Sequence, residues 1–296
     1  MSSASMPNFI IFGAMKAGST SLCNYLRQHP DVYISPKKEP NYFLPPDSFD
    51  ITQPKRIKTL EAYQHFFQRS PAKVQDEKAI GEASVSYLCH EQSPRLIRAA
   101  IPDVKLIAVL RNPVSRAYSH YLFLRRKELE TAATFAEALE ADENRPQPFG
   151  YFQKGLYGHY LQNYFSCFER SQIRIYLFDD FKQDTLALTQ DIFRFLEVDP
   201  SFAPETSAKD AVSGIPHNQT LYNFIHQPHP LKSAIKPFIQ PFFSAEKRRA
   251  LWTKAVEASL SKPKLETDVK QRLRQRYRKD ILQLQALIDR DLSGWL

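Results

Sequence analysis

The stretch Pro7-Asn-Phe-Ile-Ile-Phe-Gly13-Ala-Met-Lys16-Ala17-Gly18-Ser19-Thr20-Ser21 decides how the rest of the chain is read. Residues 8 to 12 are apolar and bounded by Pro7 and Gly13, the pattern of a short buried strand. Leu22, Tyr25 and Leu26 then recur at helical spacing until His29-Pro30 ends the run, which predicts a helix over residues 19 to 28. A glycine loop between a strand and a helix is the context in which a phosphate motif is credible. The nucleotide-binding P-loop reads G-x-x-x-x-G-K-[ST]. Here Gly13, Gly18 and Thr20 stand in register, but Ser19 holds the lysine position and a lysine appears at Lys16 instead. Backbone N–H groups from Ala17 through Gly18 and Ser19 to Thr20 are expected to face outward at the positive end of the helix dipole, as a cradle for a phosphate. The competing reading is a glycine turn with ordinary helix caps at Ser19 and Thr20.

Outward from this loop, strands and helices alternate. The pattern predicts strands at Lys78–Gly81, Val104–Leu110 and Ile173–Phe178, and helices at Ser93–Ala100, from Pro113 to about Arg126, and at Thr185–Leu196. Such alternation implies an α/β fold with a central parallel β-sheet flanked by helices, joined by right-handed crossovers. Residues 44–58 and 142–155, rich in Pro, Asp, Gln and Lys, read as surface loops beside the site. Leu265, Val269, Leu273, Tyr277, Ile281, Leu284 and Ile288 mark a long amphipathic helix over about residues 265–290. Its other face carries Arg272, Arg274, Arg276, Arg278 and Lys279, either a solvated surface or a polyanion site. No linker divides residues 1–296, which are read as one domain with its core at about 7–200.

Composition narrows the class. The chain has 296 residues, 43% hydrophobic and 24% charged, enough apolar content for a full core. No apolar run approaches the roughly 20 residues that span a bilayer, and the N-terminus lacks an export pattern, so a soluble cytoplasmic protein without a membrane partner is expected. Cys23, Cys89 and Cys167 are scattered and match no metal spacing, as free thiols in a reducing compartment do. The formal charge of +8 suits an anionic ligand, although charge alone does not indicate nucleic acid.

The strand ending at Leu110 runs into Arg111-Asn-Pro, where a magnesium-dependent nucleotide enzyme would place an acid. A cation there favours a second phosphate held directly, Arg111 gripping it as a fork and Ser119 on the following helix donating to it. The alternative for Arg111 is a structural ion pair.

Lys16-Ala-Gly-Ser-Thr20 resembles the 5′-phosphosulfate loop, and Arg111-Asn-Pro-Val-Ser-Arg-Ala-Tyr-Ser119 the 3′-phosphate motif, of sulfotransferases that use 3′-phosphoadenosine 5′-phosphosulfate (PAPS). His29-Pro-Asp-Val32, Lys38-Glu-Pro-Asn-Tyr-Phe43 and Asp291-Leu-Ser-Gly-Trp295 are similar to the heparan-sulfate branch and its bacterial relatives, so the resemblance covers about residues 7–295. It implies sulfuryl transfer from PAPS to a hydroxyl or amine, released as adenosine 3′,5′-bisphosphate (PAP), without a catalytic metal. Lys16 would stabilise the charge developing on the 5′-phosphate, Thr20 and the loop amides would hold that phosphate, and Arg111 and Ser119 would bind the 3′-phosphate. Tyr157 and a covering loop with Ser213, Gly214, His217 and Asn218 complete the cofactor set implied, although His217 stands where arginine or lysine is expected.

The resemblance points to Glu39 as the general base. A surface glutamate paired to Lys37 or Lys38 is the bland alternative. In the cytosolic branch the base is a histidine, and His90, His120 and His159 are the candidates here, His90 foremost. Tyr42, Phe43, Glu82 and Tyr87 are expected around the acceptor, with Phe149, Tyr151 and Tyr157 either lining its pocket or lying in the core. A further departure is Glu82-Ala83-Ser84, where the branch reads E-K-[ST]. The lysine is missing, and Glu82 is either a second acid/base or a residue that orders its loop through backbone N–H groups. The expected acceptor is a small molecule or metabolite. A P-loop kinase, a carbohydrate sulfotransferase and a non-catalytic polyanion binder are the alternatives, and monomer and homodimer both remain open.

Overall fold

A computed structural model describes residues 6–45, 48, 56–68, 77–143, 145, 149–206, 214–217, 260–261 and 263–296. Five strands, β1 (Phe9–Gly13), β2 (Val32–Ile34), β3 (Ala79–Ala83), β4 (Lys105–Leu110) and β5 (Ile173–Leu177), pair in the order β2-β3-β1-β4-β5. Every pairing is parallel. All of β1, and β4 from Leu106 onward, is buried, which explains unbroken apolar runs in place of alternation: a parallel sheet is covered on both faces. Gly81 stands opposite Phe9 in the register, and a Cβ there would overlap the Phe9 ring.

The described helices are α1 (Ser19–Leu26), α2 (Leu60–Gln64), α3 (Ser93–Ala100), α4 (Pro113–Arg126), α5 (Phe135–Asp142), α6 (Tyr157–Cys167), α7 (Phe178–Gln183), α8 (Thr185–Phe195) and α9 (Thr267–Ile288). Among them α6 packs on α3 and α9, and α4 on α9 and α5, while α8 packs on α1 and α7. From β1 the chain crosses to the sheet edge at β2, returns beside β1 as β3, then passes to its other side as β4. The order therefore reverses around β1. Ligands of open α/β sheets bind at the carboxyl ends of strands at such a switch point.

The expected strands and helices are present, with shifts at their ends. β3 runs on to Ala83, which puts Glu82 on the strand, and Phe178 opens α7 instead of closing β5. Several described elements, among them β2, α5 and α6, have no counterpart in the sequence reading. At three residues β2 is too short to show a period, and it forms by pairing with β3. For α5 a signal existed: Thr134 and Glu137 form a reciprocal capping box, a Thr-x-x-Glu pattern before an apolar run. α6 lies directly after the expected loop, and its N-terminus has no cap from its own chain neighbours. Asp280 of α9 supplies one, its carboxylate accepting the N–H of Gly158 at 3.0 Å and of His159 at 2.9 Å.

The basic face of α9 is partly neutralised, Arg276 pairing with Glu143 at 2.9 Å and Arg272 approaching Asp268 at 3.6 Å. No helix among the described residues is long and apolar enough to cross a membrane. Cys23, Cys89 and Cys167 are free thiols.

Candidate active site

Four loops meet at the carboxyl ends of β2, β3, β1 and β4. Backbone hydrogen bonds stitch them together: Ala14 N–H to the Val109 carbonyl at 2.8 Å, Ser84 N–H to Ile11 at 3.1 Å, and Glu39 N–H to Ala83 at 2.8 Å. The loop after β1 reaches α1 through Gly18, whose φ of 91° is the left-handed region that favours glycine. No side chain caps the first turn of α1, so its amides stay available to a ligand.

Arg111 leaves β4 directly behind this loop, and its Nη1 donates to the Lys16 carbonyl at 3.1 Å. Tyr157, fully buried, donates its hydroxyl to the Arg111 carbonyl at 3.1 Å. The structure thus places Tyr157 as a prop behind Arg111 and not on an exposed cofactor surface. Asn112 caps α4 by accepting from the N–H groups of Val114 and Ser115, both at 3.1 Å. With α4 so fixed, Ser119, Phe123 and Arg126 follow at helical steps of four and three along one face. The Lys16 ammonium lies 4.5 Å from the centre of the Phe123 ring.

The segment after β2 brings the acid. Glu39 Oε2 accepts the Val85 N–H at 3.1 Å, and Oε1 lies 3.9 Å from the Lys38 ammonium. Lys38 Nζ in turn donates to Thr20 Oγ1 at 2.7 Å and to Ser19 Oγ at 3.3 Å. Lys38 therefore bridges the acid and the phosphate loop, a placement that sequence reasoning missed because it weighed Lys38 only as a neighbour of Glu39. Arg126 was also missed. Burial, then the charges of Arg126, Arg111 and Lys38, push the Lys16 ammonium down to about 7. Four cations crowd the N-terminus of α1, and this arrangement suits a polyanion such as the phosphosulfate and 3′-phosphate of PAPS.

Glu82 is fully buried at the end of β3. Its partners are hydroxyls and not the backbone N–H groups considered from sequence: Ser84 at 2.7 Å, Tyr87 at 2.9 Å and Tyr63 at 3.2 Å. Phe43 and Tyr87, expected around the acceptor, are also buried in the aromatic core with Tyr63, because the segment after β2 continues along β3, Ser35 and Glu39 donating their N–H groups to the Gly81 and Ala83 carbonyls. Tyr42 is half-buried and stacks on Tyr63. Tyr151 is buried, while Phe149 is half-buried under the Arg145 guanidinium.

The histidines part company. His90 Nδ1 lies 3.5 Å from Ser48 Oγ. His159 is exposed and sits 3.3 Å from Glu91. His120 is buried, and burial with the nearby charges of Lys154, Arg116 and Lys16 holds its pKa well below the histidine range, which leaves it neutral. In the covering loop, Gly214 is buried against β7 (Leu260–Ser261), which pairs with β6 (Ile215–Pro216), and His217 is exposed; Ser213 and Asn218 lie outside the described residues.

Comparison with known proteins agrees with this geometry. The sulfotransferase domain family matches residues 6–279. A crystal structure of a sulfotransferase from Alicyclobacillus acidocaldarius superposes with a TM-score of 0.74 and 31% identity, covering 98% of this chain and 99% of that one. The chain is 27% identical over 204 residues to the mouse bifunctional heparan sulfate N-deacetylase/N-sulfotransferase 3, with 67% of this chain and 23% of that protein covered. It is 28% identical over 249 residues to human carbohydrate sulfotransferase 15, covering 66% of this chain and 44% of that protein. The chain thus spans less than half the length of these two curated relatives. On the match across most of its length and the likeness to the bacterial structure, the chain belongs to the PAPS-dependent sulfotransferases, an enzyme family.

Proposed function

We propose that this protein transfers a sulfuryl group from PAPS to a hydroxyl or amine of a small-molecule acceptor, in line and without a metal, Glu39 acting as general base. The observation that carries the reading is the gathering of Lys16, Lys38, Arg111 and Arg126 around the uncapped N-terminus of α1, with Glu39 beside Lys38. When bound, PAPS supplies the sulfuryl group and leaves as PAP. Lys16 and the amides from Gly18 to Thr20 hold the 5′-phosphate, the Ala17 N–H being turned to the Ala14 carbonyl at 3.3 Å, and Lys16 meets the charge that develops there. Arg111 and Ser119 hold the 3′-phosphate. Glu39 takes the acceptor proton while Lys38 keeps its carboxylate and the Thr20 hydroxyl in a fixed relation.

The chain acts as a single domain on this reading, and its free thiols suit the reducing cytoplasm. A carbohydrate acceptor is the second reading, favoured by the likeness to human carbohydrate sulfotransferase 15 and the mouse N-sulfotransferase. Titration of PAP, PAPS and ATP, with and without magnesium, tests the cofactor by thermal unfolding. PAP at a hundredfold excess over its Kd should add about 2.7 kcal/mol of stability whether or not magnesium is present. Protection by magnesium-ATP with none by PAP would overturn the reading. A panel of small alcohols, amines and oligosaccharides with labelled PAPS then decides between the two acceptor classes.

A further inference from the structure

Glu82 is a buried carboxylate held by hydroxyls, and the geometry of those hydroxyls extends past it. A hydroxyl has one proton to give. Ser84 and Tyr87 give theirs to Glu82, at 2.7 Å and 2.9 Å, so their oxygens are left to accept. What they accept are backbone N–H groups of the segment that follows Glu39: Asn41 N–H reaches Ser84 Oγ at 3.0 Å, and Phe43 N–H reaches the Tyr87 hydroxyl at 3.2 Å. Tyr63, the third donor to Glu82, stacks its ring on Tyr42 with centroids 4.7 Å apart and 17° between planes. Residues 41, 42 and 43 are thus each held by one of three side chains gathered on a single carboxylate.

This segment needs holding. Glu39 and Asn41 sit at φ of 59° and 55°, a region that side chains other than glycine adopt at a cost and keep only where their surroundings fix them. The Ser84 N–H donates to Ile11 of β1, so the same cluster is tied to the strand that enters the phosphate loop.

We propose that Glu82 is a positioning residue: its carboxylate fixes the directions of the Ser84, Tyr87 and Tyr63 hydroxyls, through them the conformation of residues 41–43, and so the placement of Glu39 beside the phosphate loop. The consequence for turnover rests on the reading of Glu39 as general base; the order of the segment does not. The role requires ionised Glu82, because a protonated carboxyl becomes a donor and competes with Asn41 or Phe43 for a hydroxyl oxygen. Burial, opposed by the three hydroxyls and reinforced by Glu39, places this carboxyl at about 7. The groups that face it are Glu39, Tyr63 of α2, Tyr87, Cys23 of α1 and Tyr164 of α6.

Amide hydrogen exchange at Asn41 and Phe43 tests the idea, alongside kcat, KM and PAP affinity as functions of pH. In the native protein both amides should be protected at alkaline pH and lose protection, after correction for intrinsic exchange, as pH falls through the Glu82 titration. In Glu82→Gln both should exchange at least roughly tenfold faster, and independently of that titration, with kcat lowered and PAP affinity retained. Glu82→Asp keeps the charge and should restore part of the protection and its pH dependence. Should Glu82→Gln not fold, Ser84→Ala and Tyr87→Phe decide: the first should expose the Asn41 amide alone, the second the Phe43 amide alone. Unchanged exchange at both amides in Ser84→Ala and Tyr87→Phe, or in a folded Glu82→Gln, overturns the proposal. Faster exchange as expected, with unchanged turnover in Glu82→Gln and in Glu39→Gln, upholds the ordering role and removes Glu39 as the base.

Discussion

Lys16 concentrates the electrostatic problem of the site in one side chain. Its ammonium is held near 7 by burial and three neighbouring cations, so above neutral pH the unliganded protein carries it largely uncharged. A bound phosphate reverses the balance and returns the group toward the ordinary lysine value. PAP binding should therefore take up protons, increasingly between about pH 6 and about pH 8. Calorimetry in buffers of different ionisation enthalpy measures this, and Lys16→Met should lack the lysine's share; equal uptake in both proteins would show that Lys16 does not titrate there. The sign for stability follows from the same shift. Between the folded value near 7 and the ordinary 10.5 the unfolded chain binds the proton more tightly, so the contribution of Lys16 to stability is present at high pH and lost as pH falls through this window. The identity of Lys16 was legible in the sequence because the loop is local. Its neighbours Lys38 and Arg126 arrive from 22 and 110 residues away, and their convergence was not.

At the scale of elements, α6 shows how a helix can be invisible to pattern and still be required. It begins with Tyr157-Gly-His and has no local cap; its first N–H groups are satisfied by Asp280, on the turn of α9 that packs against it. Burial raises the Asp280 carboxyl, with the backbone donors of His159, Gly158 and Tyr157 acting against the rise. Asp280→Ala leaves these donors without their acceptor and should cost about 1–3 kcal/mol, read from denaturant unfolding, with Asp280→Asn recovering part of it. Because α6 begins at the residue that props Arg111, PAP affinity should weaken in Asp280→Ala as well. A loss of stability with affinity untouched would uncouple the α6 cap from the site. By contrast α1 and α4 carry their own start signals, Gly18 after a strand and Asn112-Pro113, and both were placed from sequence.

For the whole molecule, the net charge of +8 acts on encounter more than on the bound state. PAP association should slow several-fold between about 0.05 M and about 0.5 M salt while dissociation changes less, as stopped-flow fluorescence can follow. An association rate indifferent to salt would mean that the field of the molecule does not steer its ligand. The basic face of α9 enters this field only in part, since Arg276 and Arg272 have acidic neighbours.

The sequence by itself determined the strand, loop and helix that cradle a phosphate, the cation ending β4, and the parallel class of the sheet. These are encoded in contiguous residues, where apolar period and turn chemistry act over a few positions. Tertiary structure alone decided the partners: Lys38 on Thr20, Tyr157 behind Arg111, Asp280 on α6, and the hydroxyls on Glu82. Each joins side chain and backbone across sequence separations that no period records, and each depends on burial, which a string of residues does not state.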